Sequence, residues 1–208
     1  MAVARPVVVK LGGSLWNNAN LKYWLAAICD VGAPIAVAPG GGPFADAVRA
    51  AQPVMDFPDD AAHRMALLAM AQYAHALCGL NSRFVIAETP DDFDEAWVRR
   101  LTPVWSPHAM AAHRGDIPQT WDVTSDSLAA LLAGAIDAKR LIIVKSVAAK
   151  ASETLRTLAD KGVVDPYFPD FAERACADCI VLSDQESELL SIAVKGGDIG
   201  YRLVYRAP

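Results

Sequence analysis

The sequence predicts an α/β protein, a three-layer α/β/α sandwich around a mainly parallel central sheet. Short apolar runs such as Val7-Val8-Val9 and Leu141-Ile142-Ile143-Val144 have the length and branching of fully buried strands. They alternate with stretches of helical spacing, the pattern of a sheet covered on both faces. Two of the strands run straight into a glycine loop and then a helix. Hydrophobic residues make up 53% of the 208 residues, which suits a well-buried core, and the length fits one domain, residues 1–208.

Val7-Val8-Val9-Lys10 is the first strand, with Lys10 at its carboxyl end. Gly12, Gly13 and Ser14 follow. Such a loop turns tightly, comes close to a ligand and offers free N–H groups to phosphate oxygens, with a lysine charge beside them. Residues 20–29 have helical spacing. Pro34-Ile35-Ala36-Val37-Ala38 is the second strand. Pro39-Gly40-Gly41-Gly42-Pro43 then leads into a helix carrying Asp46 and Arg49. Pro43 suits its first turn, where a missing N–H costs nothing. Two strand–glycine–helix units therefore face one edge of the sheet, where open α/β sheets bind ligands, and they suggest two anionic groups.

Residues 53–58 read as a loop. Asp59 and Asp60 cap a long helix over 61–80, apolar almost all round and so a buried or interface helix. Residues 84–87 form a strand and 91–100 a short amphipathic helix. The stretch 103–121 is broken by proline and glycine and carries Trp105, His108, His113 and Trp121. It reads as irregular hairpins and loops over the site. Thr124 or Ser125 caps a helix reaching 136. Lys145 closes the next aliphatic strand, repeating the placement of Lys10. Helices near 153–158 and 169–177 follow, with closing strands at 179–182 and 201–205.

A net charge of −5 argues against a broad nucleic-acid surface. No apolar run reaches the length of a membrane span. The first strand begins almost at once, so no secretory signal is expected and the location is expected to be cytoplasmic. Cys176 and Cys179 form a lone C-x-x-C, while Cys29 and Cys78 sit in helical apolar patterns. A zinc ribbon needs two such pairs, and the histidines show no ligand spacing, so no metal-ligand set is assigned.

Lys10-Leu11-Gly12-Gly13-Ser14, Gly40-Gly41-Gly42 and Thr124-Ser125-Asp126-Ser127-Leu128-Ala129-Ala130 come in the order seen in the amino acid kinase family. The chain resembles that family over nearly its whole length. Neither a P-loop spacing nor the protein-kinase signatures occur. The resemblance implies the amino acid kinase fold and ATP-dependent phosphoryl transfer with Mg2+. It implies that Lys10 bridges the ATP phosphates and the transferred group, and that Asp126 orients Lys10. Gly12, Gly13, Ser14 and Ser146 would lie on the nucleotide. Gly40, Gly41, Gly42, Asp46, Arg64 and Thr124 would lie on a phosphate-bearing acceptor, the Arg64 fork matching phosphate oxygens. Residues 1–120 would hold the acceptor and 121–208 the nucleotide. A homodimer or larger homo-oligomer is expected.

Pro39 stands where many members have histidine. The stretches Pro39 to Asp46, His63 to Met70 and Trp121 to Asp126 look like one branch of the family. That branch converts [5-(aminomethyl)furan-3-yl]methyl phosphate to its diphosphate in methanofuran-type cofactor biosynthesis. Lys145-Ser146-Val147-Ala148-Ala149-Lys150 departs from the aspartate-rich loop usual at this point, and no later G-M-x-x-K motif is recognisable around Gly162. Lys145 is therefore expected to supply the second positive charge at the ATP phosphates. The same departures leave two other readings open. One is a kinase of this fold acting on a carboxylate or nucleoside monophosphate. The other is a non-catalytic relative that binds nucleotide or oxyanions.

Overall fold

A computed structural model describes residues 5–147, 149–150, 153–197, 199 and 203–207. In chain order the elements are β1 (Val7–Leu11), a 3-10 turn (Gly13–Asn17), α1 (Leu21–Asp30), β2 (Ile35–Pro39), α2 (Gly42–Met55), α3 (Asp59–Leu80) and β3 (Phe84–Ala87). Then come α4 (Pro90–Val98), β4 (Thr102–Trp105), α5 (His108–Ala111), α6 (Ser125–Ala135), β5 (Arg140–Lys145) and α7 (Leu155–Asp160). The last are α8 (Phe168–Ala175), β6 (Asp178–Ser183), α9 (Leu190–Lys195) and β7 (Leu203–Tyr205). The described strands make one sheet in the order β3-β4-β2-β1-β5-β6-β7. All pairs are parallel except β6 with β7. The predicted α/β sandwich is the fold observed. Positions 201 and 202 of the predicted closing strand lie outside the described residues.

Strand periodicity divides the core in two. Val7, Val9 and Leu11 of β1 join Trp24 and Ile28 of α1 and Ala193 and Val194 of α9 on one face. Val8 of β1 and Leu141 and Ile143 of β5 join Leu128 and Leu132 of α6 and Phe168 and Phe171 of α8 on the other. Lys10 follows the parity of Val8, and Lys145 that of Leu141 and Ile143. Both lysines therefore leave neighbouring strand ends on the face that α6 covers.

The structure corrects three sequence expectations. Residues 103–105, read as part of an irregular stretch, belong to β4, an interior strand despite Pro103. Thr102 N donates to Arg83 O (2.8 Å) and Ser106 N to Ala87 O (2.8 Å), both on the β3 side. Alternate residues point to opposite neighbours, so the donor missing at Pro103 falls on the β2 side. There only Val37 and Val104 register. The loop expected at 53–58 is shorter. Helix α2 carries Pro53 in its last turn and ends where Asp56, at φ 55°, donates its N–H to Gln52 O (2.8 Å). Helix α9 was not expected; six residues give too little periodicity to be seen. The C-x-x-C cysteines differ in setting: Cys176 is exposed, while Cys179 is buried on β6 with its thiol pushed up to about 12 by burial and then by Asp178.

Candidate functional site

The two glycine loops meet backbone to backbone at the carboxyl edge of the sheet. A Cβ on Gly13 would lie 2.7 Å from Gly42 N, and one on Gly40 would lie 2.3 Å from Gly13 N. No side chain fits at either position. Gly42 adds a left-handed φ of 55°, which glycine adopts without strain. The contact fixes the start of α2 against the loop after β1.

Beside this contact sits a buried ion trio. Lys10 Nζ lies 2.6 Å from Asp126 Oδ1, and Lys145 Nζ lies 2.5 Å from Asp126 Oδ2. Strand parity aims both ammoniums at one helix N-terminus, and Thr124 caps that helix by accepting from Asp126 N (3.3 Å). Two ammoniums share one carboxylate, which leaves one net positive charge. Burial, followed by the attraction of Asp126 and the repulsion of Lys145, leaves the Lys10 ammonium titrating below the usual lysine value. Burial alone would raise the Asp126 carboxyl, but Lys10 and Lys145 together hold it below the usual carboxylate range. Lys10 and Asp126 are nearly inaccessible; Lys145 keeps about a fifth of its side-chain surface open.

Two cavities meet at Gly13 and Ser14, and Lys10 and Lys145 line the second of them. The first, about 300 Å³, takes Gly13, Ser14, Gly41, Gly42, Asp46 and Thr124 among its walls. Leu67, Met70 and Leu128 give it an apolar floor. At its mouth the Arg49 guanidinium stacks 4.4 Å over the Trp121 ring. Trp121 Nε1 donates to Gln52 Oε1 (2.6 Å), and Gln52 Nε2 donates to Asp59 (2.8 Å). The second cavity, about 450 Å³, is lined by Lys10, Gly12, Gly13, Ser14, Lys145, Ser146 and the turn Lys161-Gly162-Val163. A phosphate passing between the cavities would cross Gly13 beside Lys10.

Most predicted site residues therefore converge: Lys10, Asp126 and Lys145 in the trio, Gly12, Gly13, Ser14 and Ser146 on the second cavity, Gly41, Gly42, Asp46 and Thr124 on the first. Gly40 stands behind, packed on Gly13. Arg64 is not brought in. It is exposed on α3 and ion-paired one turn back to Asp60. Its neighbour His63, one helical step round, faces the first cavity instead. Burial and then Arg64 lower the His63 pKa, which favours the neutral imidazole.

One buried acid was missed. Asp165, only 6% exposed, accepts from Thr124 N (3.0 Å), Thr124 Oγ1 (2.8 Å), Ser127 N (3.0 Å), Ser127 Oγ (2.5 Å) and Tyr167 N (3.1 Å). Burial and then Asp126 push its carboxyl up, against the pull of those hydrogen bonds. Among the described residues no three His, Cys, Asp or Glu side chains form a metal cluster. No described helix is long and apolar enough to cross a membrane.

The placement of Lys145 yields a kinetic expectation. Its ammonium faces the cleft beside Lys10 and Gly12. Lys145→Met keeps most of the volume and leaves Asp126 with Lys10. Turnover is expected to fall on the order of 10²-fold, the effect of losing one stabilising donor. Acceptor affinity should barely change, and Lys150→Met, beyond the strand end, should do much less. Steady-state kinetics on the two variants checks this, and a silent Lys145→Met removes the assignment.

The model of the amino acid kinase family matches residues 5–149. No curated protein sequence matches the chain. Among solved structures, the fold is similar to uridylate kinase from Archaeoglobus fulgidus, with TM-score 0.69, 20% identity, and 93% of this chain and 97% of that one covered. It is also similar to UMP kinase from Ureaplasma parvum, with TM-score 0.66, 12% identity and 93% and 96% covered. UMP kinase from Bacillus anthracis gives TM-score 0.69, 11% identity and 92% of each chain covered.

Proposed function

The chain belongs to the amino acid kinase family, and from that premise we propose that it moves the γ-phosphoryl group of ATP onto a phosphomonoester. The favoured acceptor is [5-(aminomethyl)furan-3-yl]methyl phosphate, which would become its diphosphate in methanofuran-type cofactor biosynthesis. An acceptor phosphate oxygen attacks the γ-phosphorus while the bond to the β–γ bridging oxygen breaks and ADP leaves. The acceptor phosphate is already ionised, so no general base is required. That suits a site whose one central carboxylate is locked between two ammoniums.

The observation that carries the reading is the pair of cavities meeting at Gly13 beside Lys10. Phosphoryl transfer depends on positioning and on offsetting charge where water is excluded. The second cavity, with Lys10, Lys145 and Lys161 on its walls, suits the ATP phosphates. ATP enters with magnesium on its phosphates, and the chain's own part is to hold and neutralise them. The first cavity suits an acceptor whose phosphate sits on Gly41 and Gly42 at the start of α2. Its apolar floor and Trp121 suit a small ring. Residues 1–120 thus supply most of the acceptor side, with Trp121 to Leu128 closing it, and 121–208 most of the nucleotide side. A cytoplasmic location, where ATP is supplied, belongs to the same proposal.

ADP release measured over a panel of phosphomonoesters tests the reading. The furan phosphate should give the highest kcat/KM. Preference for UMP would move the acceptor to nucleoside monophosphates. ATP binding without turnover on any acceptor would make the chain a binding protein.

Helix α3 bears on assembly. Met65 and Leu68 are exposed on its outer face, and Val54 and Met55 are exposed at the end of α2. We propose that this surface pairs two copies, since closed symmetric association is the common way to cover one. Light scattering at micromolar concentration should give at least a dimer; a monomer would leave these side chains as plain surface.

A further inference from the structure

We infer that Asp165 is a positioning residue for phosphoryl transfer: it clamps the first turn of α6 and so holds the Asp126 carboxylate between Lys10 and Lys145. Asp165 lies on the turn between α7 and α8 and lines neither cavity. Its Oδ2 takes Thr124 N, Thr124 Oγ1 and Ser127 N, and its Oδ1 takes Ser127 Oγ and Tyr167 N. Only an ionised carboxylate can accept from all of these. The negative charge also sits at the amino end of α6, where the helix dipole favours it. Residues 124 and 127 flank Asp126 on both sides, so anchoring them fixes the direction of the carboxylate between them.

The clamp also joins the two sides of the site. Lys161, Gly162 and Val163, on the wall of the nucleotide cavity, stand just before Asp165 in the chain. The turn that meets the nucleotide is thus tied by four hydrogen bonds to the helix that carries Asp126. The charged groups facing Lys10 are Asp126 from α6, Lys145 from β5 and, farther off, Asp165 from the turn. If α6 loosens, Lys10 loses its nearest counter-charge, and a buried ammonium then gives up its proton at lower pH.

Two variants test this. Asp165→Asn removes the charge and turns an N–H2 toward donors. Ser127→Ala removes one hydrogen bond and no charge. The titration of Lys10 is followed by NMR on lysine-labelled protein, and kinetics are measured with ATP and the phosphomonoester that the panel selects. In Asp165→Asn, kcat should fall on the order of 10²-fold, the effect of about 1 Å of misplacement, with KM little changed. Lys10 should titrate at lower pH in both variants, less so in Ser127→Ala, whose kcat falls by a smaller factor. The Ser127→Ala shift is decisive, since no charge has been removed and a merely structural role would lower only the melting temperature. A folded Asp165→Asn with wild-type kcat overturns the inference. If Asp165→Asn does not fold, an unmoved Lys10 and unchanged kcat in Ser127→Ala overturn it. The kinetic arm rests on the proposed kinase activity; the Lys10 titration does not. Absence of turnover in the wild type would sink that reading while the titration still decides the role of Asp165.

Discussion

Lys10→Ala is expected to lower kcat by at least the 10²–10³-fold, roughly, that follows loss of one preorganised donor. The side chain lines the second cavity, three residues before the Gly13 that both cavities share, and is only 3% exposed. Its charge acts there with little screening. The trio carries one net positive charge because two ammoniums share Asp126. Without Lys10 the remaining Lys145–Asp126 pair is neutral, and the trio no longer carries a net positive charge. The same pairing lets the variant fold, since Asp126 keeps a partner. The loss should appear in kcat and kcat/KM together, as for an interaction made mainly in the transition state. A folded Lys10→Ala enzyme with near-wild-type turnover would show that the charge lies elsewhere.

Asp126→Ala should cost both activity and stability. It leaves two ammoniums side by side in a buried site with nothing between them. Removing one partner of a buried ion pair typically costs about 3–5 kcal/mol. Part of that will be recovered by Lys10 losing its proton, which in turn abolishes the charge that catalysis needs. The pH dependence has a definite sign. The folded carboxyl titrates below its ordinary value because Lys10 and Lys145 outweigh burial. Its stabilisation is therefore fully present above the unfolded carboxylate pKa of about 3.9 and is lost as pH falls through the lower folded value. Melting curves of wild type and Asp126→Ala should stay apart from neutral pH down to about pH 4 and converge only below it. Convergence at pH 6 would mean that Asp126 is not held ionised by its neighbours.

The three members of the trio stood out because each sits at a punctuated position; that Asp126 orients Lys10 came from the family resemblance, and the Lys145–Asp126 pairing was not foreseen. Lys10 and Lys145 end aliphatic strands, and Asp126 follows a threonine cap. Strand parity then places both lysines on one face without further information. Asp165 was not legible because it belongs to a turn, and turns carry no hydrophobic period. Its local signal was Asp165-Pro166, a turn-initiating pair. That signal announces the hydrogen bond to Tyr167 N but not the distant one to Ser127. Helix α3 misled about Arg64 for a related reason. With apolar residues nearly all round, its sequence does not say which of two adjacent residues faces inward. His63 and Arg64 lie about 100° apart on the helix, and the cavity takes the first. Strand β4 was hidden by Pro103, tolerated because its missing donor points at the thinnest part of the ladder.

The contact between the glycine loops bears on how such a site can change its substrate. In the proposed transfer, the phosphoryl group crosses where Gly13 packs on Gly40 and Gly42 through main-chain atoms. At Gly13 and Gly40 the contact is backbone on backbone, so it does not depend on the identity of the cavity-lining side chains. The walls that judge the rest of the acceptor, among them Ala45, His63, Ala66, Leu67 and Trp121, stand on helices and a loop around it. Reaction and selectivity are thus heritable separately. A lineage, or a designer, can recut the cavity for another acceptor one residue at a time while the glycine contact, and with it the proposed transfer geometry, is kept.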